Sequence, residues 1–239
     1  MKTDKQLAKS LGLAYDEKVS VSRIRDWSKY SKSEYGVFTG FFHIKLADTV
    51  SAILSERAEN KKTLALIFAS AKNPGGGVRR GAKAQEEMFC AVTSVLPLLE
   101  SEKGFYEDNK RTKLKTYLDD ALLAKDVSIY FDRYGNRIKN EHCDALFYPS
   151  PNRDLCNENE ARFSLLNRMK NILDISREYD SLVLGEWGTG VFGNKKENVA
   201  NLFLESIQKY GEDRNIIFTS YEEKDINLYR EIFKNILKD

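Results

Sequence analysis

TLALIFASAKNPGGGVRRGAKAQEEMFCAV, residues 63–92, passes from an unbroken apolar run through a glycine-rich turn into a helical stripe. The continuous apolar segment Thr63–Ala69 is the pattern of a strand buried on both faces of a largely parallel sheet. After the turn, Phe89, Val92, Leu96 and Leu99 recur at steps of three and four, and Met88 and Val95 widen that face. The spacing predicts a helix over 84–99 that covers the strand. Upstream, Phe41–Leu46 reads as another strand, and Asp48 stands where it can cap a helix begun by Val50, Ile53 and Leu54.

Working outward, further strands are expected at Val127–Phe131, Ala145–Tyr148, Leu182–Leu184 and Ile216–Thr219. Helices are marked by Leu166, Met169 and Leu173, by Val199, Phe203, Ile207 and Tyr210, and by Tyr229, Phe233 and Ile236. Strands alternating with helices predict an α/β fold of three layers, α/β/α, around a central mixed, largely parallel sheet. Lys5–Leu13 reads as a short helix, and the aperiodic stretch through Trp27, Tyr30 and Tyr35 makes residues 1–40 an irregular N-terminal cover. Glu100–Lys125, rich in lysine, reads as a solvated helical excursion. At 239 residues the chain is expected to be one domain, 1–239, and monomeric.

The bulk numbers exclude several functions. With 38 basic and 36 acidic residues the net charge is +2, without the electrostatic footprint of a duplex nucleic-acid binder. Hydrophobic residues at 41% and charged residues at 31% give a soluble balance. No apolar run approaches the ~20 residues that span a bilayer, and the first residues lack a signal-peptide core, so no membrane partner and a cytoplasmic location are expected. Three cysteines, Cys90, Cys143 and Cys156, without CxxC spacing, and two histidines, His43 and His142, argue against a disulfide framework and a metal site. The cysteines read as buried or inert, and no cofactor is expected.

Two loops carry the candidate chemistry. In the first, three consecutive glycines, Gly75, Gly76 and Gly77, let backbone N–H groups approach a ligand at the carboxyl end of a strand. Gly81 and the helix start with Gln85, Glu86 and Glu87 follow. The loop lacks both the Gly-Lys-Ser/Thr and the G-x-G-x-x-G patterns, which disfavours a nucleoside triphosphatase or a dinucleotide dehydrogenase. Taken alone, the glycines also read as a plain connection, and two glutamates in a first turn as partners of the helix dipole. The second loop, Gly185–Asn194, places four glycines within nine positions, interleaved with Trp187 and Phe192. Such a loop suits a backbone cradle for a diphosphate with an apolar side chain against a sugar or base, while the aromatics also read as core anchors. Two strand–glycine–helix loops in one domain can hold a pyrophosphate from both sides.

With these motifs the chain resembles the microbial-type poly(ADP-ribose) glycohydrolases, a macrodomain family. The resemblance rests on ASAKNPGGGVRRGAKAQEEMFC (Ala69–Cys90) and LVLGEWGTGVFGN (Leu182–Asn194), and extends through LADTV (Leu46–Val50) and PSPN (Pro149–Asn152). It implies a macrodomain-like fold and an enzyme releasing ADP-ribose from poly(ADP-ribose) or O-linked ADP-ribosyl conjugates. Its partners are then ADP-ribose, the polymer or an ADP-ribosylated protein. By motif position it implies Glu87 as the catalytic acid, Glu86 as its ribose-binding neighbour, and Asn73 against the distal ribose. Gln85 and Gly75–Gly77 complete the first half of the ligand site. Gly188, Thr189, Gly190, Val191 and Phe192 supply the second half, with Asp48 for the adenine amine. This sequence has Glu186 where relatives carry a small residue, Thr189 for a frequent cysteine, Ala91 and Val92 for basic residues, and no Ser-Pro pattern in Tyr130–Asn140. The alternative function is a non-catalytic macrodomain that sequesters ADP-ribose or a related cyclic signalling nucleotide.

Overall fold

A computed structural model describes residues 19–237; the predicted Lys5–Leu13 helix lies outside them. Seven strands form one sheet. They are β1 (Ser20–Ile24), β2 (Phe41–Leu46), β3 (Thr63–Phe68), β4 (Ala121–Phe131), β5 (Arg137–Tyr148), β6 (Ser181–Gly185) and β7 (Asn215–Ser220). Their order across the sheet is β1-β4-β5-β3-β6-β7-β2. β1–β4 and β4–β5 pair antiparallel, and every other neighbour pair is parallel, so the sheet is mixed and largely parallel as expected.

The strands are apolar on both faces because each face has its own helical layer. In β3, Leu64 and Leu66 point into one core while Ala65 and Ile67 point into the other, and β6 and β7 divide in the same way. The first core is closed by α5 (Glu158–Ile175), α6 (Lys196–Tyr210) and α7 (Glu223–Phe233), through Met169, Leu173, Phe203, Ile207 and Phe233. The second is closed by α1 (Thr49–Ala58), α2 (Gln85–Val92), α3 (Leu96–Ser101) and α4 (Lys103–Arg111), through Ile53, Phe89, Leu99 and Phe105. Period-2 alternation between two apolar environments is what three layers require.

Four features differ from expectation. Ser20–Ile24 is an edge strand; only Ile24 is buried, so its polar alternation carries little signal. Arg23 secures it, meeting Asp108 at 2.7 Å and Asp120 of the β4 approach. The expected helix over 84–99 breaks at Thr93 and Ser94, where Thr93 bridges Ile129 and Ser94 N–H donates to the Ser128 carbonyl at 3.0 Å. Glu100–Lys125 is helical only at the end of α3 and over α4, which buries Phe105, Tyr106 and Asn109, and its end is the first half of β4.

The fourth difference is an arm. β5 pairs with β3 only over Asp144–Tyr148, so Val127–Phe131 and Arg137–Cys143 pair with each other beyond the sheet. Register shifts at Ala124/Val127 and Ile129/Phe131 bend this hairpin, as bulges do. Contacts with Thr93, Ser94 and Arg57, the last 3.5 Å from Glu141, hold it against the α1–α2 layer. Its tip is closed by Asp132, whose Oδ1 accepts from the N–H groups of Tyr134 and Asn136, both at 2.8 Å.

Candidate active site

The loops after β2, β3, β6 and β7 leave the same end of the sheet and enclose a cleft of about 680 Å³, bounded by Asp48, Phe68, Gln85, Met88, Thr189 and Tyr221 among others. Open α/β sheets place ligands at the carboxyl ends of their strands for the reason seen here: loops and helix N-termini converge there.

Gln85 organises the floor. Its Oε1 accepts from Phe68 N–H at 2.9 Å, and its Nε2 donates to Thr49 Oγ1 at 3.0 Å and to the Leu66 carbonyl at 3.1 Å. It thereby ties α2 to the end of β3 and to α1, and the next two residues inherit fixed directions. Glu86 Oε2 accepts from Ser70 N–H at 2.8 Å, and Glu86 Oε1 is buried without a hydrogen-bond partner. Glu87 Oε1 accepts from Gly77 N–H at 2.7 Å. Gly76 packs against both carboxylates: a Cβ there would stand 2.3 Å from Glu87 Oε1 and 3.0 Å from Glu86 Oε2, at a φ of +60°. The triple glycine is thus a wall that only glycine can form.

Burial raises the Glu86 carboxyl well above the ordinary carboxylate range, and the nearby Glu87 charge raises it further against the opposing Ser70 N–H. Cys90 and Tyr106 lie in the same acidic neighbourhood, and burial pushes both upward too. Cys90, Cys143 and Cys156 are buried free thiols, none in a disulfide, and desolvation raises all three, which makes them poor nucleophiles.

The second loop is built differently. Trp187 is fully buried, donates from Nε1 to the Tyr148 carbonyl at 2.9 Å and packs on Tyr148 and Phe203, so it is a core anchor. Asn194 Nδ2 donates to the carbonyls of Gly188 and Pro151, both at 2.9 Å, and to Ser150 Oγ at 3.2 Å, closing the loop on itself. Phe192 packs on Tyr117 with ring centroids 6.2 Å apart, and Lys72 Nζ lies 5.7 Å from the same Tyr117 ring. Tyr117 therefore joins the two loops.

Of the residues singled out by sequence, Asp48, Gln85, Thr189 and Gly190 line the cleft. Gly75–Gly77, Glu86 and Glu87 form the compact cluster beside Gln85. Asn73 is exposed at the loop's shoulder, Gly188 is buried within the second loop, Val191 is exposed and Phe192 half-buried. Asp48 caps α1: its Oδ1 accepts from Ser51 N–H at 2.9 Å and its Oδ2 from Ser51 Oγ.

Sequence reasoning missed Arg133, Lys196 and Tyr221 in the lining. Lys196 Nζ meets Glu186 Oε1 at 3.1 Å, and Glu186 also accepts from Tyr229 OH at 2.7 Å. The unusual Glu186 was the available signal for that network. Among the described residues no cluster of three His, Cys, Asp or Glu is placed to hold a metal, and no helix is long and apolar enough to cross a membrane.

The profile of a family described as "Microbial-type PARG, catalytic domain" matches residues 5–132, more than half of the chain. The chain belongs to that family. Among solved structures, Deinococcus radiodurans poly(ADP-ribose) glycohydrolase in complex with ADP-ribose is similar at a TM-score of 0.81 and 23% identity, covering 93% of this chain and 96% of that one. The Thermomonospora curvata enzyme bound to the inhibitor ADP-HPD is similar at a TM-score of 0.77 and 24% identity, covering 91% of this chain and 85% of that one. No curated protein matches. At these identities the structural likeness is one of fold, and it runs over nearly the whole chain.

Proposed function

We propose that this microbial-type PARG domain is an ADP-ribosyl glycohydrolase that releases ADP-ribose from poly(ADP-ribose) or O-linked ADP-ribosyl conjugates, with Glu87 as its acid and base. The supporting observation is the meeting of two buried carboxyl groups at Gly76, at the carboxyl end of the central strand. The similar solved structures are of enzymes with that name, bound to ADP-ribose or to ADP-HPD.

Breaking a ribosyl C–O bond leaves positive charge on the ribose and negative charge on the departing oxygen. The oxygen takes a proton from Glu87. The resulting carboxylate, beside Glu86, stabilises the oxocarbenium-like ribose and then draws a proton from the attacking water, which restores the acid. Gly77 N–H fixes the Glu87 side chain, and Gln85 fixes the helix turn that carries it. The two glycine loops flank the diphosphate, Asn73 meets the distal ribose, and Phe192 packs on the ligand.

Glu87→Gln keeps the shape and the Gly77 contact but removes the acid. Release of ADP-ribose from the polymer, followed by chromatography, is expected to slow by roughly 100- to 10,000-fold. ADP-ribose affinity, measured by calorimetry, should stay within about threefold. Unchanged turnover in that variant, or recovery of only intact conjugate from the wild-type protein, would overturn the reading in favour of a binder.

A further inference from the structure

The β4–β5 arm delivers one residue to the cleft that neither the motifs nor the mechanism use. Arg133, next to the Asp132-closed tip, lines the cleft and stands 3.7 Å from Asp48 Oδ2. That separation is an ion pair without a hydrogen bond. The Arg133 side chain remains 45% exposed. Asp48 spends one lone pair on each oxygen in capping α1, so it retains acceptor capacity on the cleft side. Beside this pair the lining is apolar: Phe68, Met88, Phe89 and Val92. A cleft with apolar lining that also carries one acceptor and one planar donor close together fits a heterocycle that offers a donor next to an acceptor.

We propose that Arg133 reads the edge of adenine next to the amino group that the family resemblance assigns to Asp48, its guanidinium donating to the adjacent ring nitrogen N1. This rests on the glycohydrolase reading. With the scissile ribose at Glu86 and Glu87, the adenosine half of the same ADP-ribose extends into the cleft, where the apolar lining and the Asp48–Arg133 pair lie. Arg133 is then a specificity-determining residue carried on a bent arm outside the sheet. The arm's anchoring at Thr93 and Ser94 and its closed tip fix the backbone that carries Arg133 beside the cleft.

The test is a cycle between one residue and one edge of the ligand. The fluorescent analogue 1,N6-etheno-ADP-ribose keeps the diphosphate and both riboses but blocks the amino group and N1. Wild-type protein is expected to bind ADP-ribose roughly 10- to 100-fold more tightly than the etheno analogue. Arg133→Ala should weaken ADP-ribose about tenfold and the etheno analogue by less than about twofold, since that contact is already lost. The exposed tip position leaves folding intact, which a melting curve verifies. Equal losses for the two ligands would mean that Arg133 acts through the charge of the diphosphate and would overturn the proposal, as would no loss for either. Failure of wild-type protein to bind either ligand would instead remove the glycohydrolase reading beneath it.

Discussion

The two glycine loops look alike in sequence and do opposite work. In the loop after β3, Gly76 is excluded from bearing a side chain by the carboxylates of Glu86 and Glu87. In the loop after β6, Gly188 is excluded by Ser150, whose Oγ would lie 2.1 Å from a Cβ, and by a φ of +74°. Ser150 belongs to the Ser150–Asn194–Gly188 staple, so this second restriction serves the scaffold. One loop is shaped by the carboxylates proposed to react and the other by its own architecture. Glycine content alone therefore does not identify a ligand cradle; what the missing Cβ would strike does.

Two substitutions sharpen the contrast. Gly76→Ala is expected to lower turnover by about 100- to 1,000-fold, because a displacement of the carboxylates by an ångström is enough for a loss of that order. Its cost in stability should be about 2–3 kcal/mol, the penalty for a Cβ in left-handed backbone plus the displacement of buried carboxylates. Gly188→Ala should carry a similar stability cost without the loss of turnover. The clash with a buried serine adds to the backbone penalty, for a loss of about 2–3 kcal/mol in denaturant unfolding. The folded fraction should keep turnover within about threefold, since no group proposed to react has moved. Activity and unfolding curves on both proteins check the pair; if the two variants lose activity and stability in the same proportion, the loops are equivalent and the contrast fails.

The same contrast explains what could be read from the sequence. β3, β6 and β7 were legible because a strand buried on both faces is an unbroken apolar run. So were α5, α6 and α7, whose stripes face one core. Ala121–Ala124 was missed because a short apolar run after a charged helix carries no periodicity that separates strand from helix. The break at Thr93–Ser94 is tertiary: the α2 stripe continues in phase to Leu99, and only the arm pairing with those two residues interrupts it. In the site, Glu86 and Glu87 were legible as a motif. Trp187 had equal claims as core anchor and ligand wall until its burial and its bond to the Tyr148 carbonyl made it an anchor. Arg133 left no readable mark, since it reaches the cleft only through a bend far from it in sequence.

Within the first loop, Glu86 and Glu87 differ as much as the two loops do, and pH tests that difference. Glu87 is anchored by a backbone N–H, whereas one Glu86 oxygen is buried without a partner. The titratable groups around Glu86 are Glu87 and Cys90 on its own helix and Tyr106 on α4, with Glu100 of α3 nearby and paired to Arg79 at 2.8 Å. None of the groups named beside Glu86 itself is a cation, so the site favours its neutral form. A carboxyl raised in the folded state binds its proton more tightly there than in the unfolded chain. The stability this preserves is present below the ordinary carboxylate range and is lost as pH rises through the folded-state value, at no more than about 1.4 kcal/mol per pH unit. Glu86→Gln, a neutral isostere that still accepts from Ser70 N–H, removes that titration. Unfolding free energies from about pH 5 upward should therefore fall for the wild-type protein relative to the variant until Glu86 has ionised, and run parallel beyond that point. Curves that run parallel from the start would show that Glu86 is already charged at the acidic end, with its second oxygen satisfied by solvent.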